Sequence, residues 1–228
     1  MKLAIFGATG TVGSELLTQA LNAGHDVRVL VRDPAKLPEH NRLAVVQGNV
    51  KDPAAVKRTV DAQDAVLSAL GARRGDDHDT RRTGTQNMIA AMRRSGIHRL
   101  VVMGGFHLAF PDDPNNPGRK LIVPIIKLMG IVVEDTTAMG SVVLASELDW
   151  TLVRSPRVVN GRPTGSCRTG TLKLGPWNKV KGDVASFMLR CLTDDTSVRQ
   201  APMISDRRRA IPNPRTLISP TRIERQRS

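Results

Sequence analysis

The segment Gly7-Ala8-Thr9-Gly10-Thr11-Val12-Gly13 constrains this chain more than any other stretch. It stands between a short apolar run, Lys2–Phe6, and a stretch whose apolar residues Val12, Leu16, Leu17, Ala20 and Leu21 follow helical spacing. Glycines placed this way suit a tight turn at Gly7, close approach of the backbone to a ligand at Gly10, and close helix–sheet packing at Gly13. The free N–H groups and dipole at the start of the following helix favour an anion. The loop therefore reads as a dinucleotide pyrophosphate site formed by Gly7, Thr9, Gly10, Thr11, Val12 and Gly13.

The rest of the chain alternates in the same manner. Strands are expected at Val27–Val31, Leu43–Gln47, Asp64–Leu70, Arg99–Met103 and Trp150–Arg154. Helices are expected from Thr11 to Ala23, Pro53 to Val60, Thr83 to Ser95, Lys120 to Gly130, Thr136 to Ser146 and Asp183 to Cys191. Asp33-Pro34 reads as the cap and first residue of a short helical turn ending near Leu37. The fold class is α/β, a Rossmann-like doubly wound parallel sheet with ligands at the carboxyl ends of its strands. After Arg154 the pattern blurs, as expected of a small C-terminal substrate-side lobe. Residues 1–205 read as a single dinucleotide-binding domain and residues 206–228 as a basic, poorly ordered tail.

The residue after the second strand selects the nucleotide. An acid there would bond a ribose 2′-hydroxyl, but the position holds Arg32, with Lys36 nearby. Arginine offers forked, charge-assisted bonds to a 2′-phosphate, so NADP(H) is expected in preference to NAD(H). Asn49, with Val50 beside it, follows the third strand where an adenine edge would lie. Ala69, Leu70 and Gly71 would flank the ribose region, and Gly104 follows the fifth strand. A plain turn role stays open for Asn49, Ala69, Leu70 and Gly71.

The charge of +13 raises the question of a nucleic-acid partner. Seven arginines and two acids after Ser205 give +5 of it, among Pro212, Pro214 and Pro220. A basic tail explains that better than a nucleic-acid arm, so nucleic acid is disfavoured. The first apolar run is interrupted by Gly7, unlike a signal peptide. The apolar window Leu121–Val133 contains Pro124, Lys127 and Gly130 and falls short of the roughly 20 residues a bilayer span needs. Cys167 and Cys191 have no metal-like spacing, and free thiols suit a cytoplasmic location. Asp76, Asp77, His78 and Asp79 are consecutive on a loop and point in different directions, so no metal site is expected.

These residues resemble the atypical short-chain dehydrogenase/reductase proteins, the NAD(P)H-binding group related to NmrA-like proteins and biliverdin/flavin reductase. The resemblance is carried by GATGTVG at 7–13, VLVRDPAKL at 29–37, VQGNV at 46–50 and DAVLSALG at 64–71. It continues through LDWTLVRSPRVVNGRPTG at 148–165 and DVASFMLRCLTDDTSVRQAPMIS at 183–205. It implies a Rossmann-like sheet, NAD(P)H, and flavin- or quinone-type acceptors. The chain departs from the pattern where it lacks tyrosine altogether, and so lacks the Tyr-x-x-x-Lys pair that protonates a carbonyl oxygen. It has Gly104-Gly105 where a serine often follows the fifth strand, Ser155-Pro156-Arg157 where some relatives carry a histidine, and Asn49 where aspartate is common.

Hydride transfer to a flavin or quinone needs no strong general acid, because solvent can supply the proton. The catalytic candidates are His107, a proton donor near neutral pH, and Arg157, a counter-charge for a reduced ring. Phe106 could stack on a flat ring, while Arg154, among apolar strand residues, suits a structural ion pair as well as a ligand contact. Two functions follow. The preferred one is NADPH-dependent hydride transfer to a flavin, quinone or similar flat small-molecule acceptor. The alternative is a non-catalytic NAD(P)H-sensing protein, and a homodimer is left open.

Overall fold

The computed structural model describes residues 1–71, 77–110, 113, 133–159, 161, 163–173, 179–180, 182–206 and 211–212. The expected loop Pro111–Gly118 (apart from Asp113), the expected helix Lys120–Gly130, Asp76 and nearly all of the basic tail lie outside these residues.

Strand β1 (Lys2–Phe6) is followed by helix α1 (Thr11–Asn22), β2 (Asp26–Val31), β3 (Leu43–Gln47), α2 (Pro53–Val60) and β4 (Ala65–Ser68). Next come α3 (Thr80–Ser95), β5 (Arg99–Gly105), α4 (Val133–Leu144), β6 (Asp149–Ser155) and the short β7 (Arg157–Val158). The chain continues through β8 (Cys167–Gly170), β9 (Leu172–Lys173), β10 (Lys179–Val180), α5 (Asp183–Arg190), β11 (Met203–Asp206) and β12 (Ile211–Pro212). The main sheet has the order β3-β2-β1-β4-β5-β6-β11-β8. Its pairs are parallel except for antiparallel β11–β8. Strand order reverses between β1 and β4, and such a switch point opens a crevice at the carboxyl ends of the strands.

A central parallel strand must be apolar on both faces, and β1 is buried from Leu3 onward. Leu3 and Ile5 join a core with Leu16 and Leu17 of α1 and Val184 and Met188 of α5. Ala4 and Phe6 enter the opposite core with Val56 of α2, Met88 of α3 and Met139 of α4. Each large side chain buried in this way contributes about 1.5–3 kcal/mol, so the two layers hold the glycine loop between fixed elements. Local caps set several boundaries. Asp52 accepts from the Ala54 N–H at 2.9 Å ahead of Pro53 at the start of α2. Gly96, with φ +66, ends α3.

Several boundaries differ from those expected, α4 for instance running Val133–Leu144 rather than Thr136–Ser146, and two differences have an identifiable cause. Helix α3 begins at Thr80, a turn before the expected Thr83, because Asp135 of α4 accepts from the backbone N–H groups of Arg81 and Arg82, each at 2.9 Å. The stretch after Arg154 is only partly a lobe beside the sheet. β11 pairs with β6 and β8 with β11, so the sheet itself extends into this stretch. Asp183, 1% exposed at the start of α5, ties the segment before β8 in place. Its carboxylate accepts from the backbone N–H groups of Thr164 and Gly165 and from Thr164 Oγ1 at 2.8–3.0 Å.

Candidate functional site

At the carboxyl end of β1 the backbone turns sharply. Gly7 has φ +82, and a Cβ there would lie 2.6 Å from the Ala69 carbonyl oxygen, so both conformation and space require glycine. The Gly10 N–H donates to the Gly7 carbonyl at 2.9 Å and closes the turn. Gly10 is the N-cap of α1 and has no side chain to cap it. The first helical bond runs from Ser14 N–H to Gly10 O at 2.8 Å. The N–H groups of Thr11, Val12 and Gly13 therefore leave the helix start without an intrahelical acceptor. No acidic residue occupies the first turn, so the positive end of the helix dipole is not offset there.

A cleft of about 380 Å³ opens over this helix start. Gly7, Thr9, Gly10 and Thr11 line one side, and Arg32, at the end of β2, lines another. Asn49 and Val50 follow β3 and close a third side, with Leu70 and Gly71 after β4. Nine residues expected from sequence to touch a cofactor thus converge on one crevice. Gly84 of α3 lets this wall pack closely, since a Cβ there would come within 3.0 Å of Val50.

Arg32 is exposed at the rim. The neighbouring carboxylate does not compete for the cleft. Asp33 accepts from the Ala35 N–H at 3.2 Å, as a cap, and pairs with Lys36 at 3.0 Å. That pairing holds the Asp33 carboxyl below its ordinary range, the Lys36 hydrogen bond being the main cause. It also turns Lys36 to Asp33, outside the cleft lining. Val12 and Ala69 have buried side chains, so any role in the cleft belongs to their backbone. Gly13 serves packing: a Cβ there would fall 1.9 Å from the Gly7 carbonyl oxygen. Gly104 is covered by Leu108, whose Cδ1 would be 2.8 Å from a Cβ, and does not line the cleft.

Sequence reasoning missed Lys51, Asp77 and Thr80, which line the crevice together with Leu30, Val31 and Gly48. Lys51 Nζ lies 2.7 Å from Asp77 Oδ2 and 2.5 Å from Asp79 Oδ1. Hydrogen bonds to Asp77 and then Asp79 raise the Lys51 pKa, while the Lys51 hydrogen bond chiefly lowers that of Asp79. Two acids of the expected surface cluster thus serve as ion-pair partners. Among the described residues no group of His, Cys, Asp and Glu side chains could hold a metal. Lys51, two residues past Asn49, was within reach of positional reasoning. Asp77, in the loop before α3, and Thr80, the first residue of α3, come from a distant part of the chain and were not.

Farther along the carboxyl ends of the strands, outside the cleft lining, the register of β5 and β6 places Gly104 opposite Arg154 and Gly105 opposite Ser155. His107 and Arg157 follow these adjacent strands at the carboxyl end of the sheet, and neither lines the cleft. The imidazole folds back over Gly105, where a Cβ would be 2.3 Å from its Cε1. Phe106 is buried and meets the imidazole edge-on, with ring centres 6.5 Å apart. Arg157 is exposed on β7, beside Lys179 of β10. Arg154 has the structural role. It forms a bidentate pair with Asp113 at 2.6 and 2.7 Å, donates to the Leu108 and Ala201 carbonyls, and stacks 4.5 Å from the Phe110 ring centre.

The sequence profile of a family described as NAD(P)H-binding matches residues 7–195. A 3β-hydroxysteroid dehydrogenase/Δ5→4-isomerase of Mycobacterium tuberculosis is 32% identical over 131 residues, which is 49% of this chain and 35% of that protein. The chain thus spans about a third of the length of this curated relative. ChuY, an anaerobillin reductase from Escherichia coli O157:H7, shares the fold with TM-score 0.75 at 18% identity, over 91% of this chain and 98% of its own. A short-chain dehydrogenase/reductase from Veillonella parvula, solved in complex with NADP, matches with TM-score 0.73 at 17% identity, over 91% and 95% of the two chains. Among the described residues, no helix is long and apolar enough to cross a membrane.

Proposed function

The chain belongs to the NAD(P)H-binding family, and we propose that it is an oxidoreductase that uses NADPH to reduce a flat, conjugated small molecule such as a flavin or quinone. The observation that carries the cofactor half is the pairing of an uncapped helix start, free of acid, with Arg32 at the end of β2. The donor set fits a dinucleotide carrying a 2′-phosphate. Backbone N–H groups at Thr11, Val12 and Gly13 would hold the pyrophosphate, and the Arg32 guanidinium would take the 2′-phosphate. Asn49, Val50, Leu70 and Gly71 would hold the adenosine. When bound, the reduced nicotinamide supplies a hydride.

On the acceptor side, His107 would hold a proton near the reduced ring and Arg157 would offset its negative charge. This pairing is supported by position, since His107 and Arg157 each lie two residues past Gly105 and Ser155, which are paired at the carboxyl ends of β5 and β6. A second reading, an NAD(P)H sensor without chemistry, is favoured by the lack of any tyrosine and by the engagement of Arg154 in an ion pair.

Turnover separates the two. NADPH oxidation is followed by absorbance with FMN, FAD and several quinones, using wild type, His107→Ala and Arg157→Ala. The oxidoreductase reading expects turnover of at least one acceptor and a loss of roughly tenfold or more in kcat in one variant, less than the roughly 10²–10⁴-fold of an obligatory general acid because solvent also supplies protons. Tight NADPH binding with no turnover of any acceptor selects the sensor. Unchanged rates in both variants remove His107 and Arg157 from the acceptor site.

A further inference from the structure

The crevice beside Lys51 contains a donor and an acceptor that the surrounding turns and ion pairs leave over. Asn49 Oδ1 accepts from the Lys51 backbone N–H at 3.0 Å, so this side chain turns its Nδ2 hydrogens to any further partner. Asp79 is engaged through both oxygens, with Lys51 Nζ at 2.5 Å and with Thr83 Oγ1 at 2.9 Å. Asp77 meets Lys51 only through Oδ2, and among the described residues its Oδ1 has no protein partner. The Asp77 backbone is fixed, because its carbonyl accepts from Thr80 N–H at 3.2 Å and from Thr80 Oγ1 at 3.0 Å. Asn49 and Asp77 line the same cleft as the apolar side chains of Leu30, Val50 and Leu70, which suit the face of a flat base.

We propose that Asp77 Oδ1 accepts a hydrogen bond from the exocyclic amino group of adenine while Asn49 Nδ2 donates to a ring nitrogen. This pair then selects a 6-aminopurine over a 6-oxopurine nucleotide. The inference rests on the dinucleotide reading of the cleft and adds the residue that identifies the base. Adenine presents an amino donor beside ring-nitrogen acceptors. Hypoxanthine presents an oxygen at the same place, which would set lone pairs against the Asp77 carboxylate. Lys51 acts as the positioning residue, holding the carboxylate by its other oxygen.

The test compares dissociation constants for NADPH and its hypoxanthine analogue by fluorescence titration of the full chain, for wild type, Asp77→Asn and Lys51→Met. Thermal melting accompanies each titration. Wild type is expected to favour NADPH by about tenfold or more, the scale of one or two lost hydrogen bonds to a charged group. Asp77→Asn can turn an amide donor toward the oxygen and is expected to bring the ratio to within about threefold. Lys51→Met should lower the ratio too, with both nucleotides still bound. Wild type that binds both nucleotides equally, or Asp77→Asn that keeps the full ratio, overturns the proposal and leaves the dinucleotide reading intact. A wild type that binds neither overturns both.

Discussion

Gly13→Ala is expected to lower the unfolding free energy by about 3 kcal/mol, the upper end for overpacking, and to weaken NADPH binding roughly hundredfold. The added methyl would sit 1.9 Å from the Gly7 carbonyl oxygen and 2.6 Å from its carbon. Both are backbone atoms, and Gly7 is itself held against the Ala69 carbonyl, so no side chain can rotate to make room. Helix α1 must move away from β1, taking the Thr11 and Val12 N–H groups with it. Hydrogen bonds to charged groups are worth about 1.5–3 kcal/mol each, and misaligning one or two accounts for the lost affinity. Denaturant unfolding and nucleotide titration of the same variant read the two effects separately. A variant with wild-type stability and affinity would show that the close contact is not needed.

Asp113→Ala has a comparable effect on stability for an unrelated reason. The Arg154 and Asp113 side chains are each 3% exposed, so removing the carboxylate strands a guanidinium inside the protein. Breaking a buried pair from one side costs about 3–5 kcal/mol, which corresponds to a fall in melting temperature of about 10 °C for a chain of this size. The double variant Asp113→Ala/Arg154→Met removes both charges and should regain most of that loss. Neither residue lines the nucleotide cleft, so the affinity of Asp113→Ala for NADPH should stay within about twofold of wild type. A double variant as unstable as the single one would show that the loss arises from packing rather than from the stranded charge.

Much of the nucleotide half could be read from local sequence. The strand before Gly7, the helix after it and the capping of Pro34 by Asp33 are decided within a few residues of chain. What escaped depends on partners far along the sequence. The first turn of α3 exists because Asp135, 53 and 54 positions later, accepts its backbone N–H groups. β8 and β11 are each four residues long and too short to show a period, and only their pairing with each other and with β6 makes them strands. Arg154 stood out as a charge within an apolar strand, but its partner lies in a proline-rich loop that sequence reasoning could not place against it. Lys51 and Asp77 looked like ordinary loop charges. They acquire a role only because the chain after β4 returns to face the chain after β3.

The central claim is that this crevice takes a dinucleotide whose 2′-phosphate is held by Arg32. Calorimetric titration of NADPH and NADH into wild type and Arg32→Ala tests it most directly. The predicted result is that wild type prefers NADPH, that Arg32→Ala weakens NADPH roughly ten- to hundredfold, as loss of a charge-assisted bond implies, and that NADH affinity stays within about twofold. Equal losses for both nucleotides, or no loss for either, would contradict it.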